Sequence, residues 1–279
     1  MKYEVYKAYD PDASSETNPS GRIDVVFADT HNMLEFVQMV RPDIIVGFVE
    51  AIELRLEGEA EAPHADEGNR DFTEYMEKYP TIDQFPSLYR LIFGFVYANL
   101  GLAVSQDAKD ATVTVPRVKN VGCVSVPRYH RIKAMIDVLG REDGIQLYKD
   151  FVLYRSQLPV EEKIKGTVKS FREESIKNWS EAKHMDFAVY VFDENMHVCK
   201  FTNCVSYDAL KHLDDPEVGY LTQCYPTTFL VDRLYETLGQ RRSVTLFNHH
   251  FCDELYWDKN VHPDPEHPSL DFMDKIVIE

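Results

Sequence analysis

The sequence predicts an α+β fold: a helical N-terminal part followed by helices packed on a small antiparallel sheet built from C-terminal hairpins. Three observations carry this. Apolar residues follow the 3.6-residue helical period over much of the chain as far as residue 183, and β-rich alternation sets in at Asp186. The later strand-like runs then come in pairs around turns, not alternating with helices as βαβ units would. With 279 residues the chain is long enough for one large domain or two ordinary ones, and the pattern suggests a mostly helical region over 1–125 and an α+β domain over 126–279.

Residues 1–21, rich in Ser, Pro and Asp, read as an extended, loosely attached lead-in. Helical periodicity begins at Thr30 with an amphipathic run over 31–40; Pro42 then opens a second helix in which Ile45, Phe48, Val49, Ile52 and Leu56 share a face. The acidic, Pro/Gly-broken stretch over 57–69 reads as a solvated loop. Pro86 opens a helix apolar nearly all round, hence central and buried, and the ATVTV run within 105–126 is a strand or a long connection. Residues 128–139 and 143–155 read as two helices joined at Gly140, and 161–183 as a long charged helix with a narrow stripe of Ile164, Val168, Phe171 and Trp179. FAVYVF and MHVCKFTNC flank a DEN turn as an antiparallel hairpin. Ser206 is placed to cap a short helix over 207–213, and Pro226 to start one that reaches Leu238 and stops at Gly239. RSVTLF and FCDELYW, around NHH, form a second expected hairpin.

Thirty Lys plus Arg against 47 Asp plus Glu leave a net charge of −17, which repels a phosphate backbone and makes nucleic acid a poor partner. No stretch approaches the roughly 18 uninterrupted apolar residues that a bilayer crossing requires, and the first residues have neither the apolar core of a signal nor an Arg-rich transit pattern. No membrane partner and a cytoplasmic address are therefore expected. Cysteines 123, 199, 204, 224 and 252 are odd in number and include no Cys-x-x-Cys pair, a pattern of reduced thiols and not of a disulfide framework or a local zinc ribbon. The nucleophile elbow, phosphate loop, dinucleotide turn and His-Glu-x-x-His motifs are all absent.

What chemistry the residues offer gathers between Cys199 and Trp257. Cys204 ends a strand and precedes a helix start, where backbone N–H groups and the helix dipole favour a thiolate; the competing reading is a small buried hydrophobe. Strand alternation puts Cys199 on the opposite face from Cys204 and leaves it structural. Cys224 occupies a similar pre-helix position before Pro226. Cys252 lies close to His249, His250, Asp253 and Glu254; alternation lets Cys252 and Glu254 share one face while Asp253 takes the other. The two imidazoles are candidate acid/base groups or simply exposed turn residues.

The stretch from about 131 to 257 resembles the L-2-amino-thiazoline-4-carboxylic acid hydrolase family. The resemblance rests on the FTNC segment at Cys204, on Gly219, Leu221 and Cys224 of EVGYLTQC, and on Cys252, Asp253 and Tyr256 of FCDELY. Family members often carry Pro after the first of these cysteines, where this chain has Val205. The resemblance implies a thiol-dependent hydrolase acting on a C–N or C–S bond of a small cyclic amidine-like substrate, with no cofactor. Cys204 would then be the nucleophile with Cys224 nearby, His249 or His250 the acid/base, and Asp253 the amidinium partner. Spaced cysteines on a sheet backed by helices also resemble the small-ligand-binding domains related to vinyl reductase regulators. On that alternative the chain is a non-catalytic sensor, with zinc or iron held by Cys204, Cys224 and Cys252. A third possibility is that residues 1–125 supply a homo-oligomer interface and the cysteines are core.

Overall fold

The computed structural model describes residues 2–59, 73–102 and 110–278. The fold is α+β, as the pattern predicts. It divides into two compact units, one of Ser14–Val152 and one that joins Met1–Ala13 to Leu153–Glu279. The division does not fall at 125/126, because the helices over 117–157 continue the helical unit almost to their end.

The helical unit contains α1 (Pro19–Val40), α2 (Ile45–Glu59), α3 (Thr73–Lys78), α4 (Pro80–Asp83), α5 (Pro86–Asn99) and α6 (Arg117–Leu139), and ends within α7 (Arg141–Gln157). A two-stranded ribbon, β2 (Ser14–Thr17) antiparallel to β3 (Val113–Pro116), completes it. α1 begins eleven residues before the periodicity at Thr30 because Asn18 caps it, its side chain accepting from the Gly21 N–H at 2.7 Å, with Pro19 in the first turn. α6 likewise begins at Arg117, eleven residues before the helix expected from 128, with Pro127 inside. Of the expected 57–69 loop, 57–59 end α2 and the rest lies outside the described residues. An aromatic cluster of Phe27, Tyr75, Tyr89 and Phe93 fills the core. Arg131, 1% exposed, is tolerated there because it donates to Thr30 Oγ1 at 2.9 Å and lies 3.5 Å from Asp29, which Arg128 also engages.

The other unit is built on a five-stranded antiparallel sheet in the order β1-β4-β5-β7-β6, comprising β1 (Glu4–Lys7), β4 (Met185–Asp193), β5 (Met196–Cys204), β6 (Leu238–Arg241) and β7 (Cys252–Asp258). The hairpin over 185–204 follows the alternation. Four other expectations are corrected. The lead-in supplies the edge strand β1, whose Tyr6 stacks on Phe187 with ring centroids 4.7 Å apart. RSVTLF is not a strand: β7 pairs instead with β6, which takes in the last residue of the expected helix over 226–238 and the three residues after it. That helix is reduced to a 3₁₀ turn (Pro226–Phe229) and α11 (Leu230–Leu234). Gly239 is no helix stop, since it lies in β6 under the Trp257 ring, where a Cβ would come within 2.4 Å of the indole.

Both faces of the sheet are covered. One packs against α8 (Val168–Glu181), shorter than the expected 161–183 because residues before Thr167 form a bridge from Ile164 to Tyr235 and a Thr167–Ser170 capping box starts the helix. The other is covered by Phe251 and by α12 (Leu270–Asp274) with the segment after it. Lys200 pins this segment, its buried Nζ donating to Met273 O at 2.9 Å and Ile276 O at 2.8 Å. No helix among the described residues is long and apolar enough to cross a membrane.

Candidate active site

The α8 side of the sheet holds a cavity of about 410 Å³. Its walls come from α8, β4, β5, β6, β7, from α9 (Val205–Asp208) and α10 (Pro216–Gln223), and from the chain leaving β6. Phe171, Trp179, Phe201 and Tyr235 form an apolar wall, and Cys204, Cys224, Cys252, Gln240, Arg242 and Glu254 a polar one. The volume suits a small molecule with one flat apolar face and a few directed polar contacts.

Cys204, Cys224 and Cys252 all line this cavity. Cys204 arrives there through a break in the strand's alternation. Asn203 pairs with Asp186 but Phe201 with Phe187, so Thr202 is an extra residue, a β-bulge. The bulge resets the two-residue period, and Cys204 comes opposite Met185 on the same face as Phe201 and Cys199. The sequence-based placement of Cys199 and Cys204 on opposite faces is thereby corrected, although Cys199, 1% exposed, remains packed in the core. The helix after Cys204 is also shorter than expected, one turn of four residues with Cys204 and not Ser206 at its N-cap, too short for a strong dipole.

Cys224 is not a pre-helix residue but the C-cap of α10, where the dipole disfavours a thiolate. α10 is well specified: Asp215 caps it by accepting from Val218 N–H at 3.3 Å, and Pro216 opens it. Gly219 lies under the Phe247 ring, Leu221 is fully buried, and Cys224 emerges at the cavity. Burial pushes both Cys224 and Cys252 up to about 12; the Arg242 guanidinium opposes this at each, and charge on the neighbouring thiols adds to it. Both are therefore neutral S–H groups at pH 7.

Along β7, Cys252, Glu254 and Tyr256 face the cavity. Glu254 is held between the Arg242 guanidinium and the Tyr256 hydroxyl, one on each carboxylate oxygen. Arg242 also donates through Nη1 to Cys224 O at 2.7 Å and reaches Thr227 Oγ1 at 3.3 Å. The pair has side chains 8% and 11% exposed, so each charge depends on the other for its solvation.

Asp253 points away from the cavity, as alternation requires. Fully buried, it accepts from Ser243 N–H at 2.7 Å, Val244 N–H at 3.1 Å and the Ser243 hydroxyl, and lies 3.6 Å from His267 Nε2. It fixes the chain immediately after Arg242. His249 and His250 do not line the cavity either: their rings pack tilted against each other and edge-on to Phe251 in the turn before β7, and His250 is 3.2 Å from Asp274. The roles first given to Asp253, His249 and His250 thus find no geometry at the cavity. Its ionised groups are Arg242 and Glu254. Glu254 was legible from alternation; Arg242 and Gln240 were not, because the segment carrying them was read as the end of a helix and the start of a different strand. Leu238, Gln240 and Arg242 on one side of β6 are the signal that would have found them.

Among the described residues no group of three or more His, Cys, Asp or Glu side chains is placed to hold a metal ion. The chain matches no family model, no curated protein and no solved structure.

Proposed function

We propose that the protein is a thiol-dependent hydrolase that opens a small cyclic amidine-like substrate, with Cys204 as nucleophile. The observation that carries this reading is the convergence of three cysteines and a buried Arg242–Glu254 pair on one cavity otherwise walled by aromatic and aliphatic side chains. A substrate bearing both an amidine and a carboxylate is complementary to that pair: Glu254 meets the amidinium and Arg242 the carboxylate. The Cys204 thiolate attacks the amidine carbon, forming a C–S bond. The ring C–N or C–S bond then breaks as the leaving atom takes a proton from the neutral thiol of Cys252 or Cys224. Water attacks the covalent intermediate, returns a proton to that thiol, and releases Cys204. The net change is addition of one water.

The test is turnover of 2-amino-thiazoline-4-carboxylate, followed by mass spectrometry as the gain of one water. Wild-type protein should convert it and Cys204→Ala should lose roughly a thousandfold or more in kcat. Unaltered turnover by that variant would remove Cys204 as nucleophile.

A second reading is a non-catalytic small-ligand or metal sensor, with zinc or iron on Cys204, Cys224 and Cys252; what favours it is that the three line one cavity, although they are not placed as a metal-holding group. Elemental analysis of purified protein separates the two: stoichiometric zinc or iron without turnover supports the sensor, and turnover by metal-free protein the hydrolase.

A further inference from the structure

Gln240 is 8% exposed, its side chain lines the cavity, and its Oε1 is buried without a hydrogen-bond partner among the described residues. Its position is set by β6: it pairs with Tyr256 of β7 and shares the cavity face with Arg242, two residues on. Its polar neighbours on this wall each make at least one hydrogen bond. Arg242, Glu254, Tyr256 and Thr227 bond one another or the Cys224 carbonyl. A buried amide oxygen left without a partner costs the fold about 1–3 kcal/mol. An apolar residue of the same length would avoid that cost, so packing alone does not account for a glutamine here.

A primary amide presents a donor and an acceptor side by side in one plane. Its complement is a planar group with an N–H next to a carbonyl oxygen or an imine nitrogen: a lactam, a cyclic urea, or the H–N–C=N edge of an amino-substituted ring. The aromatic wall of Phe171, Phe201 and Tyr235 suits the flat face of such a ring. We infer that Gln240 is a specificity-determining residue that reads a coplanar donor–acceptor edge of the bound ligand, restricting the cavity to cyclic amides and amidines. This rests on the cavity being the substrate site, and it adds the feature by which the site would tell an amidine or lactam ring from an apolar ring of equal size.

The inference is tested with benzamide, which has the paired edge, and acetophenone, which has the acceptor alone, titrated into the full-length protein by calorimetry or NMR. Wild-type protein should prefer benzamide by about tenfold, the worth of one well-made buried hydrogen bond. In Gln240→Met the preference should collapse to within about twofold, acetophenone binding should be retained, and the melting temperature should hold or rise, because an unsatisfied amide oxygen has been removed. Gln240→Glu, an acceptor without the donor, should favour the benzamidine cation over benzamide. The inference is overturned if wild-type protein binds the two neutral probes equally or neither at millimolar concentration, or if Gln240→Met keeps the preference. The hydrolase reading fails separately. Absence of aminothiazoline carboxylate turnover with the Gln240-dependent preference intact would sink the reaction and leave the recognition, whereas turnover with an unchanged KM in Gln240→Met would do the reverse.

Discussion

Arg242 and Glu254 are a buried pair in which removal of one partner strands the other. Arg242→Met should therefore destabilise the unit by about 3–5 kcal/mol in urea unfolding, and adding Glu254→Gln to it should recover part of the loss. A cost below about 1 kcal/mol would show that the pair is solvated. The thiols make a prediction about pH. Burial raises Cys224 and Cys252 from an ordinary value of 9.0 to about 12 in the folded chain. Below pH 9 both folded and unfolded states hold the proton, and the contribution is constant. Between about 9 and 12 the unfolded chain gives up protons that the folded chain retains, so stability falls as pH rises through this window. In Cys224→Ala/Cys252→Ala the alkaline decline should be shallower, read as the slope of unfolding free energy against pH; an unchanged slope would contradict the raised values.

At the scale of elements, the position of the site depends on two local irregularities. The bulge at Thr202 turns Cys204 into the cavity. It is a departure from period two, which is why alternation correctly placed Glu254 and Asp253 on β7 and misplaced Cys204 on β5. The second irregularity is the closeness of α10 to the chain leaving β6, where a Cβ on Gly219 would come within 2.4 Å of the Phe247 ring. Gly219→Ala should cost roughly 1–3 kcal/mol through overpacking despite alanine's better helix propensity, and Phe247→Leu in the same chain should restore most of it. Stabilisation by Gly219→Ala alone, measured by thermal melting, would mean that the contact is loose. Helix ends were legible where a cap or a proline stood at the boundary, as at Pro86 and Gly140. They were missed where polar composition hid a continuing helix, as over 117–127 of α6.

For the molecule as a whole, the α+β class followed from the change in periodicity near residue 186, but the make-up of the sheet did not. Its strands come from residues 4–7, 185–204 and 238–258, and such non-local pairings leave no mark in a local pattern. The two-unit division follows the same logic, since the first thirteen residues join the C-terminal unit by pairing β1 with β4. Deleting residues 1–8 should lower the melting temperature of that unit and expose the nine-residue β4 as an edge, so that light scattering rises with protein concentration. A truncated chain that melts like the full one and stays monodisperse would show that β1 contributes little. The central claim is that one cavity gathers three cysteines of which Cys204 is the nucleophile, and iodoacetamide labelling of the native protein near pH 8 with peptide mass mapping tests it most directly. The account predicts that Cys204 is alkylated first, that Cys224 and Cys252 lag because burial keeps them protonated, and that 2-amino-thiazoline-4-carboxylate protects Cys204. Prompt labelling of Cys224 or Cys252 with Cys204 inert would contradict it.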